Sequence, residues 1–86
     1  MIKNLEATID ALHKINTQLI LAEKKHPDFV ADLFQAVSIL TEECGEVAQA
    51  VNDYRWNDDS IEHIKEEVAQ VGAVAIRFLE LLEELE

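Results

Sequence analysis

Apolar residues recur at three- and four-residue steps through most of the 86-residue chain, and the pattern breaks only twice. That period belongs to the helix, because side chains three and four apart share one face. In the first stretch Leu5, Ile9, Leu12, Ile15 (or Asn16), Leu19 and Ala22 carry the stripe. It should end in EKKHPDF, where Lys24 and Lys25 suit a helix C-terminus and Pro27 stops continuation. The second stretch runs from about Asp28 to Asn52, with Leu33, Val37, Leu40, Cys44, Val47 and Val51 as its stripe. NDYRWNDDS then interrupts it with residues that favour turns and caps. Ser60, or Asp59 with Glu62 three residues on, starts a third helix that continues towards the end of the sequence, with Gly72 a candidate kink. Only two glycines and one proline punctuate the chain. The expectation is an all-α fold, one domain over residues 1–86, built as a bundle of three main helices.

A chain this short buries about 60–65% of the surface its unfolded form exposes. With 49% hydrophobic residues it carries more apolar material than three thin helices hide alone, so completion by homo-oligomerisation, as dimer or tetramer, is expected. Eighteen acids against seven bases give a net charge of −11, which disfavours nucleic acid as a partner because phosphate neutralisation needs clustered Lys and Arg. A cation, or a ligand that brings cations, suits this charge. The single cysteine, Cys44, excludes an internal disulfide and reads as a small buried hydrophobe. MIKNLEATIDALHK has polar residues every turn, so neither a signal peptide nor a membrane span is expected there, and a cytoplasmic location is the default.

The acids can be sorted by face at about 100° per residue. Glu43 lies roughly 60° from the centre of the second stripe, Glu46 sits further out on the same flank, and Glu42 points nearly opposite. Glu67 falls inside the apolar arc of the third helix, among Ile64, Val68, Val71 and Val74, with Gln70 one turn on. In LELLEELE, by contrast, Glu80 and Glu84 fall opposite Phe78, Leu82 and Leu85, as solvated glutamates do. An inward carboxylate needs a proton, a base or a metal. Arg77 and Lys65 miss this edge, which leaves a divalent cation as the economical partner. Glu43 with Glu46, and Glu67 with Gln70, are both i, i+3 pairs that each present two oxygens on one face, and facing antiparallel helices would bring the two pairs together. An all-oxygen set suits Mg²⁺ or Mn²⁺.

EECGE on one helix and EEVAQ on the next resemble the E-E-x-x-E … E-x-x-D signature of the MazG-like all-α nucleoside triphosphate pyrophosphohydrolases. Twenty positions, residues 47 to 66, separate Glu46 from Glu67, and the similarity covers roughly residues 26 to 80. The resemblance implies a Mg²⁺-dependent enzyme that hydrolyses a nucleoside triphosphate between the α- and β-phosphates, as a dimer or a dimer of dimers. It implies Glu43, Glu46 and Glu67 as metal ligands, with Glu42 a further ligand or the group that orients the attacking water. Gln70 stands where the pattern has Asp; its amide oxygen can ligate Mg²⁺ but cannot act as a base.

Arg55, Trp56 and Lys65 are the candidate substrate contacts, for stacking and for phosphate, although Trp56 as a plug at a helix corner and Lys65 as a solvated residue are the blander readings. His63 shares an edge with Gln70 and reads as a surface or capping histidine. Leu19, Leu33 and Phe78 are expected core. Two alternatives stand beside the enzyme: a non-catalytic helical interaction module on the same scaffold, and a phosphoribosyl-ATP pyrophosphohydrolase.

Overall fold

The structure is a computed structural model that describes residues 3–85. Three helices follow one another: α1 (Leu5–Lys25), α2 (Leu33–Trp56) and α3 (Ile61–Glu84). Among the described residues there is no strand, and no helix is long and apolar enough to cross a membrane. Each helix starts on a side-chain cap. Asn4 Oδ1 accepts from the Ala7 N–H at 3.0 Å, Asp32 Oδ1 from Phe34 at 2.7 Å, and Ser60 Oγ from His63 at 3.2 Å. Each cap satisfies a donor that the first helical turn leaves unpaired.

Two boundaries differ from the sequence expectation. Helix α2 begins at Leu33 and not near Asp28, because Pro27–Ala31 forms an irregular connector and Asp32 provides the cap. The helix also runs past Asn52 to Trp56. Its polar end is held by Asp53, whose Oδ1 accepts from Gln49 and Asn57 side chains, and whose carbonyl accepts from the Asn57 and Asp59 N–H groups. The chain reverses at Asp58, at φ 57, a left-handed conformation that Asp tolerates better than most residues.

Helix α3 is the centre of the fold. Both α1 and α2 pack on it, and they do not approach each other. α3 is continuous through Gly72, where a Cβ would lie 2.8 Å from Ile15 Cγ1 and Cδ1, so the glycine admits α1 rather than breaking the helix. Further along, Arg77 is buried; its Nη2 donates to the His26 carbonyl at 2.7 Å and its Nη1 to that of Ala22 at 3.5 Å. These two contacts order α1 and α3 in parallel. They also place a cation against the negative end of the α1 dipole. The guanidinium lies 5.1 Å over the Phe29 ring, which anchors the connector.

The buried apolar core is small: Ala36, Ala50, Ala69, Ala73 and Leu81. Alanines let the helices approach closely but bury little area. Helix α1 contributes no buried residue at all. Leu33, expected in the core, is 42% exposed, and Cys44 is exposed too, because α3 covers only one edge of the α2 stripe. Leu19 and Phe78 are half-buried. Trp56 plugs nothing: it is 71% exposed, with Arg55 stacked 4.9 Å over its ring.

Candidate functional site

The α2–α3 turn returns the chain antiparallel, and this brings the inward acids of the two helices together. One carboxylate oxygen from each of Glu43, Glu46 and Glu67 lies within 4.8 Å of the others. Glu43 and Glu67 are half-buried, while Glu46 stands at the rim. The Glu67 side chain is only 14% exposed.

Electrostatics makes this a site under tension. Burial lifts the Glu43 carboxyl above its ordinary range, and the nearby Glu46, Glu67 and Glu42 charges add to the effect. Glu67 is lifted as well, chiefly by burial and then by Glu46, with His63 acting in the opposite direction. Three carboxylates gathered in a partly desolvated space favour anything positive that reduces their repulsion.

Gln70 answers part of that demand. With its NH₂ turned inward, the amide donates to Glu67 Oε2 at 3.2 Å and Glu43 Oε2 at 3.3 Å. With its oxygen turned inward it becomes a fourth oxygen facing acceptors only, an arrangement that a cation, or a proton on one of the carboxyls, would relieve. Hydrogen-bonding capacity assigns the first orientation to the metal-free chain. The residues therefore fit a divalent cation in number, charge and donor type: three carboxylates and one amide oxygen, the set that hard cations take.

His63 is a largely solvent-accessible histidine in the first turn of α3, as a surface or capping histidine would be, with 39% of its side chain exposed, and it also reaches the cluster. Its ring lies between two acids, with Nδ1 2.6 Å from Asp59 Oδ2 and Nε2 3.3 Å from Glu67 Oε1. Its pKa is raised, first by the Asp59 hydrogen bond, and that of Asp59 is correspondingly lowered. Asp59, in the turn before α3, and His63 and Glu67 on α3 form a ladder at four-residue steps, a spacing legible in the sequence that face-sorting of the acids alone passed over.

The other candidates lie apart from this cluster. Glu42 is exposed on the neighbouring face of α2, close enough to raise Glu43 by its charge. Arg55 and Trp56 are at the C-terminal end of α2, about 18 Å along the axis from Glu43. Lys65 pairs with Glu62 at 3.2 Å and borders a different recess, with Lys14 and Thr17.

Between α1 and the acids lies a recess of about 380 Å³, within the size range of small-molecule sites. Glu43, Gln70 and Val74 line one side; Gln18, Lys25 and His26 line the other. Sequence reasoning assigned Lys25 to helix termination and gave His26 no role. Only the parallel packing of α1 on α3 puts them opposite the carboxylates. Comparison of the chain with known protein families, with curated proteins and with solved structures found no match.

Proposed function

We propose that this chain is a MazG-like, Mg²⁺-dependent nucleoside triphosphate pyrophosphohydrolase, active as a homo-oligomer, that releases a nucleoside monophosphate and pyrophosphate. Mn²⁺ is an alternative ion for the same oxygen set. The observation that carries the proposal is the convergence of Glu43, Glu46 and Glu67 from two helices, without a lysine or arginine among them to neutralise their charge.

Glu43, Glu46 and Glu67 would hold the cation, with the Gln70 oxygen as the fourth donor. The ion would supply charge neutralisation for the triphosphate and acidify a water. The residues of the chain do the rest. Lys25 and His26, across the recess from Glu43, are placed to receive the phosphate chain that the carboxylates alone would repel. Glu42, exposed beside the cluster, is the free carboxylate for orienting the attacking water. Oxygen from that water joins the α-phosphorus as the bond to the bridging oxygen breaks. Pyrophosphate leaves with the electron pair of that bond, and the water's proton passes to solvent.

One observation favours a second reading. Because the Gln70 amide can bridge Glu43 and Glu67 by itself, the scaffold tolerates an ion-free cluster, as a non-catalytic interaction module would require. Two measurements separate them. Pyrophosphate release from a panel of canonical and modified triphosphates should require Mg²⁺, cease in excess EDTA and be lost in Glu67→Gln. Calorimetric titration with Mn²⁺ should show binding that Glu67→Gln weakens. Hydrolysis that persists in EDTA would overturn the mechanism; a folded protein that binds no Mn²⁺ would favour the interaction module.

A further inference from the structure

We infer, on the cation reading proposed above, that His63 is a positioning residue that makes the site selective among cations. It ties down one oxygen of Glu67, leaves that carboxylate a single oxygen for an ion, and so favours Mg²⁺ or Mn²⁺ over Ca²⁺.

The start of α3 does not need the His63 ring. Ser60 Oγ accepts from the His63 N–H at 3.2 Å, and this caps the helix by itself. The ring is nonetheless engaged at both nitrogens, with Nδ1 2.6 Å from Asp59 Oδ2 and Nε2 3.3 Å from Glu67 Oε1. Asp59 is itself anchored. Its Oδ1 accepts from the Ser60 N–H at 2.7 Å, and its own N–H donates to the Asp53 carbonyl at 3.1 Å. Asp59 therefore belongs to the framework of the α2–α3 turn, and the ring carries that framework one helical turn further, to Glu67.

The two oxygens of Glu67 face different partners. Oε1 meets the ring, while Oε2 is within 3.2 Å of the Gln70 amide group, which also reaches Glu43 Oε2. Oε2 thus looks into the cluster and Oε1 away from it. A glutamate carboxyl does not hold such an orientation alone, because rotation about its last bond is soft. Glu43 and Glu46, across the gap on α2, are acids that repel it when ionised. The ring is what sets the plane of the Glu67 carboxylate.

That plane matters to an ion. Ca²⁺ takes about six to eight oxygens and accepts both oxygens of one carboxylate, whereas Mg²⁺ keeps a tight octahedral shell built from single carboxylate oxygens and waters. Mn²⁺ shares the octahedral oxygen preference. With Oε1 held by His63, Glu67 serves the second kind of ion and not the first. Loss of the ring would free Oε1, which gives Ca²⁺ a further ligand atom and takes from Mn²⁺ only the fixed aim of Oε2. Because the ions carry equal charge, any positive charge on the ring repels them alike, and a general loosening of the turn weakens them alike. The preference between them reports the orientation of Glu67.

The test is calorimetric titration of the full chain with MnCl₂ and, separately, with CaCl₂, for the wild type, His63→Ala and Asp59→Ala. Removing a group that orients a metal ligand costs about 10–100-fold in affinity. His63→Ala should lose that much for Mn²⁺ and less for Ca²⁺, which narrows the preference for Mn²⁺ by about 10-fold. Asp59→Ala, which removes a group that contacts neither the cluster nor Glu67, should narrow it in the same direction. Should His63→Ala lose its helical circular dichroism, Asp59→Ala decides. A wild type that binds neither ion would remove the cation reading, and this inference with it. A wild type that binds Ca²⁺ as tightly as Mn²⁺, or a folded variant in which both affinities fall equally or neither changes, would overturn the role of His63 and leave the cation reading standing.

Discussion

Replacing Arg77 with methionine isolates the contact that fastens α1. Methionine keeps most of the apolar stem and removes the guanidinium. The His26 carbonyl loses a charge-assisted hydrogen bond of 2.7 Å, worth about 1.5–3 kcal/mol. Loss of the cation at the α1 C-terminus and over the Phe29 ring adds about 1 kcal/mol. The sum is about 3 kcal/mol, and for a domain of this size each kcal/mol moves Tm by about 4–8 °C. Thermal unfolding followed by circular dichroism, at equal protein concentration because any self-association would shift Tm, should therefore show a fall of about 12–24 °C. Arg77→Lys, which keeps the charge and one donor, should recover part of it. Amide exchange should quicken first from Lys24 to Ala31. If Arg77→Met melts within about 2 °C of the wild type, the guanidinium is not what holds α1, and the account of the fold around it is wrong.

The raised carboxyls set a pH dependence for the protein in EDTA. Glu43 and Glu67 hold their protons more tightly folded than unfolded, so stability should fall as pH rises from 4.5 through their raised values. Glu67→Gln should flatten that decline, and Mg²⁺ should stabilise more at neutral pH than at pH 5. His63, also raised, contributes stability that is complete below pH 6.5 and lost as pH climbs through its folded value; His63→Gln should remove that second step. Gln70→Asp replaces the bridging amide with a fourth charge. Its Tm should drop in EDTA by the equivalent of about 1–2 kcal/mol and its Mg²⁺ affinity should rise; no change in either would show that Gln70 does not face the acids.

The helices and the meeting of Glu43 with Glu67 were legible because both follow from angular position along a helix, which the sequence encodes residue by residue. The cap at Ser60 is a local signal of the same kind, whereas the second helix, expected from about Asp28, starts only after the Asp32 cap. What the sequence concealed depends on how elements sit against each other. Nothing around Gly72 says that Ile15 occupies the space above it, or that Arg77 reaches the last carbonyls of α1 and not a carboxylate. Burial of Cys44 and Leu33 was misjudged for the same reason: a stripe shows which side is apolar, but not whether the chain's own helices are enough to cover it. His63 could have been found, since its four-residue spacing from Asp59 and Glu67 is in the sequence.

Helix α1 has no residue sealed in the core, and among the described residues its only side-chain hydrogen bonds to α3 come from Arg77, at its far end. It is built like a door with the hinge at Ala22–His26 and the latch side near Leu5. Swinging the free half outward leaves the α2–α3 hairpin, and with it the spacing of the three glutamates, undisturbed. Opening of that half costs much less than unfolding the chain, while the Lys25 and His26 wall of the recess beside Glu43 stays fastened.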